Sequence, residues 1–255
     1  MELDAFRNGK GKGKIIMLTA YDYQIARILD EAGIDLILVG DSLGMVVQGH
    51  MDTRSVTMED MIYHTQSVAR GAKKTPIIVD IPINCDETPK DALENARRLL
   101  KAGAHGVKIE GNKPEVIEAL LKEGIPVMGH LGLLPQTAPS YRLKGKQPDE
   151  AEKIFQDALE VDKLGVFSIV LECIPEGLAR RITEAVGAPT IGIGAGKYCD
   201  GQVLVINDML GLDLSFTPKY LKRYTNLNQI IKEAVGKFKE EVKNGKYPDE
   251  EHTYQ

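Results

Sequence analysis

The stretch Lys101-Ala102-Gly103-Ala104-His105-Gly106-Val107-Lys108-Ile109-Glu110 carries the reading that decides the fold. A helical pattern ends at Gly103, and a short β-branched run follows almost at once. Glycine just past a helix takes the left-handed cap conformation at little cost. A short continuous apolar run fits a strand buried on both faces, as a parallel sheet requires. Lys108 and Glu110 are two apart in that run and therefore point to the same side of it.

The same grammar recurs on either side of this stretch. Asp30-Glu31-Ala32-Gly33 precedes Leu36–Val39, and Lys122-Glu123-Gly124 precedes Pro126-Val127-Met128. Lys163-Leu164-Gly165 precedes an apolar run over 168–171, and Ala185-Val186-Gly187 precedes Thr190–Ile193. Helix openings agree with these endings. Thr88-Pro89 reads as an N-cap followed by proline at the first helical position, with Leu93, Ala96, Leu99 and Leu100 on one stripe. Thr57 with Asp60 resembles a capping box, and Pro114, Pro148 and Pro175 mark further openings.

Strands are therefore expected near residues 15–19, 36–40, 77–81, 106–110, 126–130, 168–172 and 190–194. Such alternation with helices means a (β/α)8 barrel or a doubly wound open sheet. Strand density and a length of 255 residues favour the barrel. The reading is an α/β chain, a (β/α)8 TIM barrel with a C-terminal helical extension, with residues 1–255 forming a single domain. The eighth strand is the obscure one. Residues 197–202 are too few for a crossover helix, so 203–210 reads as a helix and the strand is expected near 214–221. An amphipathic helix over 226–245 and a polar tail over 247–255 end the chain.

Composition excludes several function classes. With 32 Lys+Arg against 37 Asp+Glu the net charge is −5, which leaves no electrostatic footprint for nucleic acid or an anionic membrane. No apolar run reaches the ~18 residues of a spanning helix. Residues 1–14 are charged and glycine-rich and lack the apolar centre of a signal peptide. Cys85, Cys173 and Cys199 lie far apart without a CxxC pair, which disfavours a disulfide framework or structural zinc. A cytoplasmic location is expected.

Barrels of this type place their chemistry at the C-terminal ends of the strands. Those ends read Tyr21-Asp22, Asp41-Ser42, Asp80, Lys108 with Glu110, His130, and Glu172. Asp41, Asp80 and Glu110 are about one strand–helix unit apart, so they fall on consecutive strands. Neighbouring strands lie ~4.8 Å apart, which brings three carboxylates within about 10 Å. Three such anions conflict, and a hard divalent cation, Mg²⁺ before zinc, removes the conflict. The competing reading makes each of them a helix cap or an ion-pair partner. Lys108 is either the structural partner of Asp80 or Glu110 or the group that holds a substrate carboxylate. Glu172 ends an apolar run and suits a general base, with a salt bridge to Arg180 or Arg181 as the alternative. His130 orients a substrate, shuttles a proton or bonds the backbone. Gly192-Ile193-Gly194-Ala195-Gly196 lacks GxGxxG spacing and the Lys-Ser/Thr of a P-loop, so tight turning explains it equally well.

At this point the residues show a likeness. Six motifs occur in order: Leu18-Thr19-Ala20-Tyr21-Asp22, Val39-Gly40-Asp41-Ser42-Leu43-Gly44-Met45, Val107-Lys108-Ile109-Glu110-Gly111, Gly129-His130-Leu131-Gly132-Leu133, Leu171-Glu172-Cys173-Ile174-Pro175, and Ile191-Gly192-Ile193-Gly194-Ala195-Gly196. With them, the chain resembles the ketopantoate hydroxymethyltransferase family nearly end to end. The resemblance implies a (β/α)8 barrel, a bound Mg²⁺ and a homodecamer. It implies transfer of a one-carbon unit from 5,10-methylenetetrahydrofolate to 3-methyl-2-oxobutanoate through a Mg²⁺-stabilised enolate, giving 2-dehydropantoate (ketopantoate) in pantothenate biosynthesis. By the same resemblance the metal falls on Asp41, Asp80 and Glu110. Substrate contacts fall on Asp41, Ser42, Asp80 and Lys108, with His130 beside them, and the base on Glu172. Residues 83–87 and 135–146 depart from the family pattern at the rim where the donor docks, and a modified pterin is the alternative donor. A lyase or mutase of the phosphoenolpyruvate mutase and isocitrate lyase type is the enzymatic rival, but its Lys-Cys-Gly-His-like loop is missing. A barrel that only binds 2-oxo acids is the non-enzymatic one.

Overall fold

The computed structural model describes residues 3–255, so Met1 and Glu2 of the stretch compared with a signal peptide lie outside it. A short helix α1 (Asp4–Asn8) precedes β1 (Ile15–Thr19), and α2 (Tyr23–Ala32) leads to β2 (Leu36–Val39). A one-turn α3 (Leu43–Val46) and α4 (Met58–Gly71) connect β2 to β3 (Ile77–Asp80). Next come α5 (Pro89–Ala102), β4 (Gly106–Glu110), α6 (Pro114–Lys122) and β5 (Val127–Gly132). The alternation continues through α7 (Pro148–Leu164), β6 (Ser168–Glu172), α8 (Glu176–Ala185) and β7 (Thr190–Ile193). After β8 (Gly201–Leu204) come α9 (Ile206–Met209), α10 (Leu227–Lys243) and a 3₁₀ turn at Glu250–His252. The eight strands pair in parallel and in chain order, and β8 closes on β1. The chain forms two compact units, Met1–Val205 and Ile206–Gln255, and the barrel is the first. Among the described residues no helix is long and apolar enough to cross a membrane.

Local chemistry explains the boundaries. Asp22 caps α2 by accepting from the N–H groups of Gln24 and Ile25. Thr57 and Asp60 form the reciprocal capping box of α4, and Thr88 with Pro89 opens α5. Gly33, Gly103 and Gly165 end α2, α5 and α7 in the left-handed conformation, as their position past each helix demands. Gly187 departs from this pattern, because α8 ends at Ala185 with Val186 in extended conformation. There the Lys10 ammonium, at 2.7, 2.6 and 3.0 Å, takes the carbonyls of Thr183, Val186 and Ala188. A charged side chain does at this helix end what a glycine turn does at the others.

Strand eight corrects the sequence expectation. It lies at Gly201–Leu204, not near 214–221, and no helix separates it from β7. The register removes the need for one. Gly201 pairs with Ile191, so the chain drops back only about two residues, ~7 Å, while moving ~4.8 Å sideways. Residues 194–200 span that distance without a helix.

The lower lumen is apolar. Met17, Leu36, Leu38, Ile78, Met128, Val170, Ile191 and Val203 meet Leu3 and Phe6, which seal the N-terminal end. A Cβ on Gly106 would lie 3.0 Å from Leu3 and 2.9 Å from the Pro126 carbonyl, so its missing side chain is what admits the plug. Side chains therefore fill the barrel below, and the polar groups collect above.

Candidate active site

Strand alternation sets the direction of each polar side chain. Register pairs Asp80 with Lys108, Glu110 with His130 and Gly132 with Glu172. Asp41 and Ser42 follow β2 directly and turn into α3. Asp41, Asp80, Lys108, Glu110 and His130 are all buried, whereas the Glu172 side chain keeps 15 % of its surface open. The result is a closed ionic cluster with one more accessible carboxylate at its edge.

Direct contacts join these groups. Lys108 Nζ lies 2.8 Å from Asp80 Oδ1 and 3.2 Å from His130 Nδ1. The Asp41 N–H donates to Asp80 Oδ2 at 3.0 Å. His130 spans two carboxylates, with Nδ1 3.5 Å from Glu110 Oε1 and Nε2 3.2 Å from Glu172 Oε2. Arg180 and Arg181, the alternative partners of Glu172, instead pair with Glu184 and Glu152. Ser42 Oγ shares a 2.8 Å hydrogen bond with the Tyr21 hydroxyl, and His64 Nδ1 meets the Tyr21 carbonyl at 2.6 Å.

Gln136, which the sequence reading passed over, completes the cluster. Its Nε2 donates to Asp41 Oδ2 at 2.8 Å and to the Ile81 carbonyl at 3.0 Å, and its N–H donates to Glu110 Oε2 at 3.2 Å. It sits in the loop after β5, where no periodicity marks it. Its only sequence signal is its place shortly after the motif that ends β5.

Electrostatics follow from burial and these neighbours. Burial, with the charges of Asp80 and Glu110 close by, holds the Asp41 carboxyl well above the ordinary range, although Lys108 and Gln136 act against the rise. Burial works against the Lys108 ammonium, yet Asp80, Glu110 and Asp41 together hold it protonated above an ordinary lysine. For His130, burial and Lys108 press towards the neutral ring. The hydrogen-bonded Glu110 and Glu172 outweigh them and raise it to about 9. Burial also works against the Glu110 charge, but His130, Lys108 and the Gln136 N–H bring its pKa below the usual value.

A family model for ketopantoate hydroxymethyltransferase matches residues 1–250. The chain belongs to the ketopantoate hydroxymethyltransferase family. Its relatives include the 3-methyl-2-oxobutanoate hydroxymethyltransferase of Caldicellulosiruptor saccharolyticus, 51 % identical and covering 96 % of both chains. That of Syntrophus aciditrophicus is 50 % identical, covering 97 % of this chain and 94 % of the relative. Among solved structures, a 2,3-dimethylmalate lyase of the PEP mutase/isocitrate lyase superfamily superposes with a TM-score of 0.63 at 15 % identity, covering 98 % of this chain and 90 % of that one. A phosphonopyruvate hydrolase in complex with oxalate and Mg²⁺ gives 0.63 at 13 % identity, covering 99 % and 93 %. At such identities these two show a shared barrel and nothing further.

In this ketopantoate hydroxymethyltransferase family member the acid cluster fits a hard cation. Among the described residues, no three His, Cys, Asp or Glu side chains converge as a ready-made cage. Mg²⁺ does not require one, since it keeps several waters and uses one or two carboxylates together with substrate oxygens. Asp80 Oδ1 meets the Lys108 ammonium at 2.8 Å and Glu110 Oε1 lies 3.5 Å from the His130 ring, so these buried carboxylates are balanced by cationic side chains, and a hard, oxygen-seeking ion suits such a set. The donors are all oxygens, with no thiolate among them. Cys173, next to Glu172, has its thiol pushed up to about 12 by burial and the Glu172 charge, so it offers no thiolate nucleophile. Its backbone instead turns the chain at φ 47°, a conformation that non-glycine residues rarely adopt.

Proposed function

We infer that this chain transfers a hydroxymethyl group from 5,10-methylenetetrahydrofolate to 3-methyl-2-oxobutanoate, giving 2-dehydropantoate (ketopantoate) in pantothenate biosynthesis. The observation that carries the reading is His130. It is a buried ring that ties the more open Glu172 carboxylate to the Lys108–Asp80 and Glu110 cluster. A proton acceptor beside a cationic, oxygen-rich floor is what abstraction next to a carbonyl requires.

The residues then divide the work. Lys108 and Ser42 bind the carboxylate of the keto acid and orient C3 towards the mouth, which lowers the entropic barrier. Asp41 and Asp80, with Glu110 beside them, hold Mg²⁺, whose chemistry when bound is to polarise the keto oxygen. Glu172 takes the C3 proton, and His130 holds that carboxylate in place through the 3.2 Å contact at Nε2. The C3–H bond breaks and a bond from C3 to the donor's methylene carbon forms. Water supplies the hydroxyl as the carbon leaves the donor nitrogens. A cytoplasmic homo-oligomer, the decamer of the family, is part of the same reading. The exposed stripe Ile230, Ile231, Val235, Phe238 and Val242 on α10 is an apolar surface that assembly would cover.

The test is Mg²⁺-dependent exchange of the C3 proton of 3-methyl-2-oxobutanoate in deuterated water, followed by NMR, with ketopantoate formation measured separately. Glu172→Gln abolishes exchange and leaves keto-acid binding within a few-fold. Full exchange in that variant removes Glu172 as the base. Exchange without turnover on methylenetetrahydrofolate, but with turnover on a modified pterin, replaces the donor and leaves the acceptor chemistry standing.

A further inference from the structure

The three carboxylates of the cluster share one arrangement. One oxygen of each is tied by an N–H donor: Asp41 Oδ2 by the Gln136 amide, Asp80 Oδ2 by the Asp41 backbone, and Glu110 Oε2 by the Gln136 backbone. Two of these three ties come from a single residue. Gln136 is 3 % exposed, and its side chain is anchored a third time on the Ile81 carbonyl at 3.0 Å. On the other side of the carboxylates, Asp80 Oδ1 meets the Lys108 ammonium at 2.8 Å and Glu110 Oε1 lies 3.5 Å from His130 Nδ1.

We propose that Gln136 is a positioning residue that locks one oxygen each of Asp41 and Glu110 and so sets the direction in which their second oxygens meet one divalent cation. A carboxylate rotates freely about its last bond unless something holds it, and the loop after β5 supplies that hold. The loop thereby couples the rim of the barrel to the carboxylates at the C-terminal ends of β2, β3 and β4. Partners that orient ligand carboxylates from behind typically change metal affinity 10- to 100-fold when removed. This inference rests on the metal reading above, and the experiment separates the two.

The experiment measures Mn²⁺ binding to the full chain by loss of the free-ion EPR signal, with the line shape of the bound ion and the thermal midpoint recorded alongside. Gln136→Met keeps the length of the side chain and the backbone N–H but removes the amide donor. Mn²⁺ affinity falls on the order of 10- to 100-fold, the bound-ion line shape changes, and the thermal midpoint moves by only a few degrees. Thr137→Val, in the same loop but outside the network, leaves all three readouts unchanged. Where Gln136→Met does not fold, Gln136→Asn takes its place, since it keeps the amide but draws the donor back by one methylene, and it is judged by the same loss. Unchanged Mn²⁺ affinity and line shape in the folded variant overturn the assignment of Gln136 while the metal reading stands. Failure of the unmodified chain to bind Mn²⁺ overturns both.

Discussion

Lys108 shows how a single residue makes this site possible. Its ammonium is buried among Asp41, Asp80 and Glu110 and pairs with Asp80 at 2.8 Å. Removing one partner of a buried pair leaves an uncompensated charge and costs about 3–5 kcal/mol, whereas removing both is often nearly neutral. Lys108→Met is therefore expected to lower stability by roughly that amount in metal-free buffer at pH 7–8. The double variant Lys108→Met/Asp80→Asn recovers most of the loss, read from urea unfolding midpoints at constant slope. The pH dependence has a definite sign. A stranded carboxylate binds its proton more tightly folded than unfolded, so the deficit of the single variant shrinks as the pH falls towards 5. A loss below about 1 kcal/mol would show that Lys108 does not make the acid cluster tolerable.

At the scale of the element, the site depends on β5 and β6 meeting closely at the mouth. Gly132 ends β5 at φ 97°, and a Cβ there would lie 2.3 Å from the Glu172 carbonyl and 2.8 Å from Ile174. Gly132→Ala meets both a backbone penalty of about 1–2 kcal/mol and a backbone clash that no rotamer relieves. It is expected to lower the thermal midpoint and, by displacing Glu172, to cut kcat in the exchange assay more than it raises KM. Gly236→Ala is the contrast. Gly236 sits inside α10 with nothing within 4 Å of an added Cβ, so alanine stabilises by about 1 kcal/mol. These elements were legible in the sequence for a physical reason. A strand buried on both faces shows as an unbroken apolar run, and a polar residue closing such a run, as Asp80 and Glu172 do, marks the mouth. β8 was illegible because Gln202 is exposed, no helix precedes the strand, and four of its pairings are with β1, which is remote in sequence. Gln136 was illegible because a loop residue has no period, and its three bonds run to the segments after β2 and β3 and to β4.

At the scale of the whole barrel, stability and chemistry sit at opposite ends, which is where a barrel separates them. The N-terminal segment makes this testable. Leu3 and Phe6 fill the lower lumen, and Lys10 binds three carbonyls around the end of α8 and lies 3.6 Å from Asp200. Asp200 in turn accepts from the N–H of Thr190 at 2.9 Å, at the start of β7. One lysine thus fastens the N-terminal segment to the end of α8 and, through Asp200, to the start of β7, so its contacts resist the opening of the closed sheet. The Lys10 side chain is 20 % exposed, and each charge-assisted bond of this kind contributes about 1.5–3 kcal/mol before solvent screening. Lys10→Met is therefore expected to destabilise by on the order of 2 kcal/mol, because the stem still packs while the carbonyls lose their donor. The exchange rate at C3 and the Mn²⁺ affinity stay unchanged, since every group placed in the chemistry lies at the other end of the strands. A stability loss accompanied by an equal loss of exchange in the folded fraction would mean that the two ends are mechanically coupled, and the separation argued from the fold would fail.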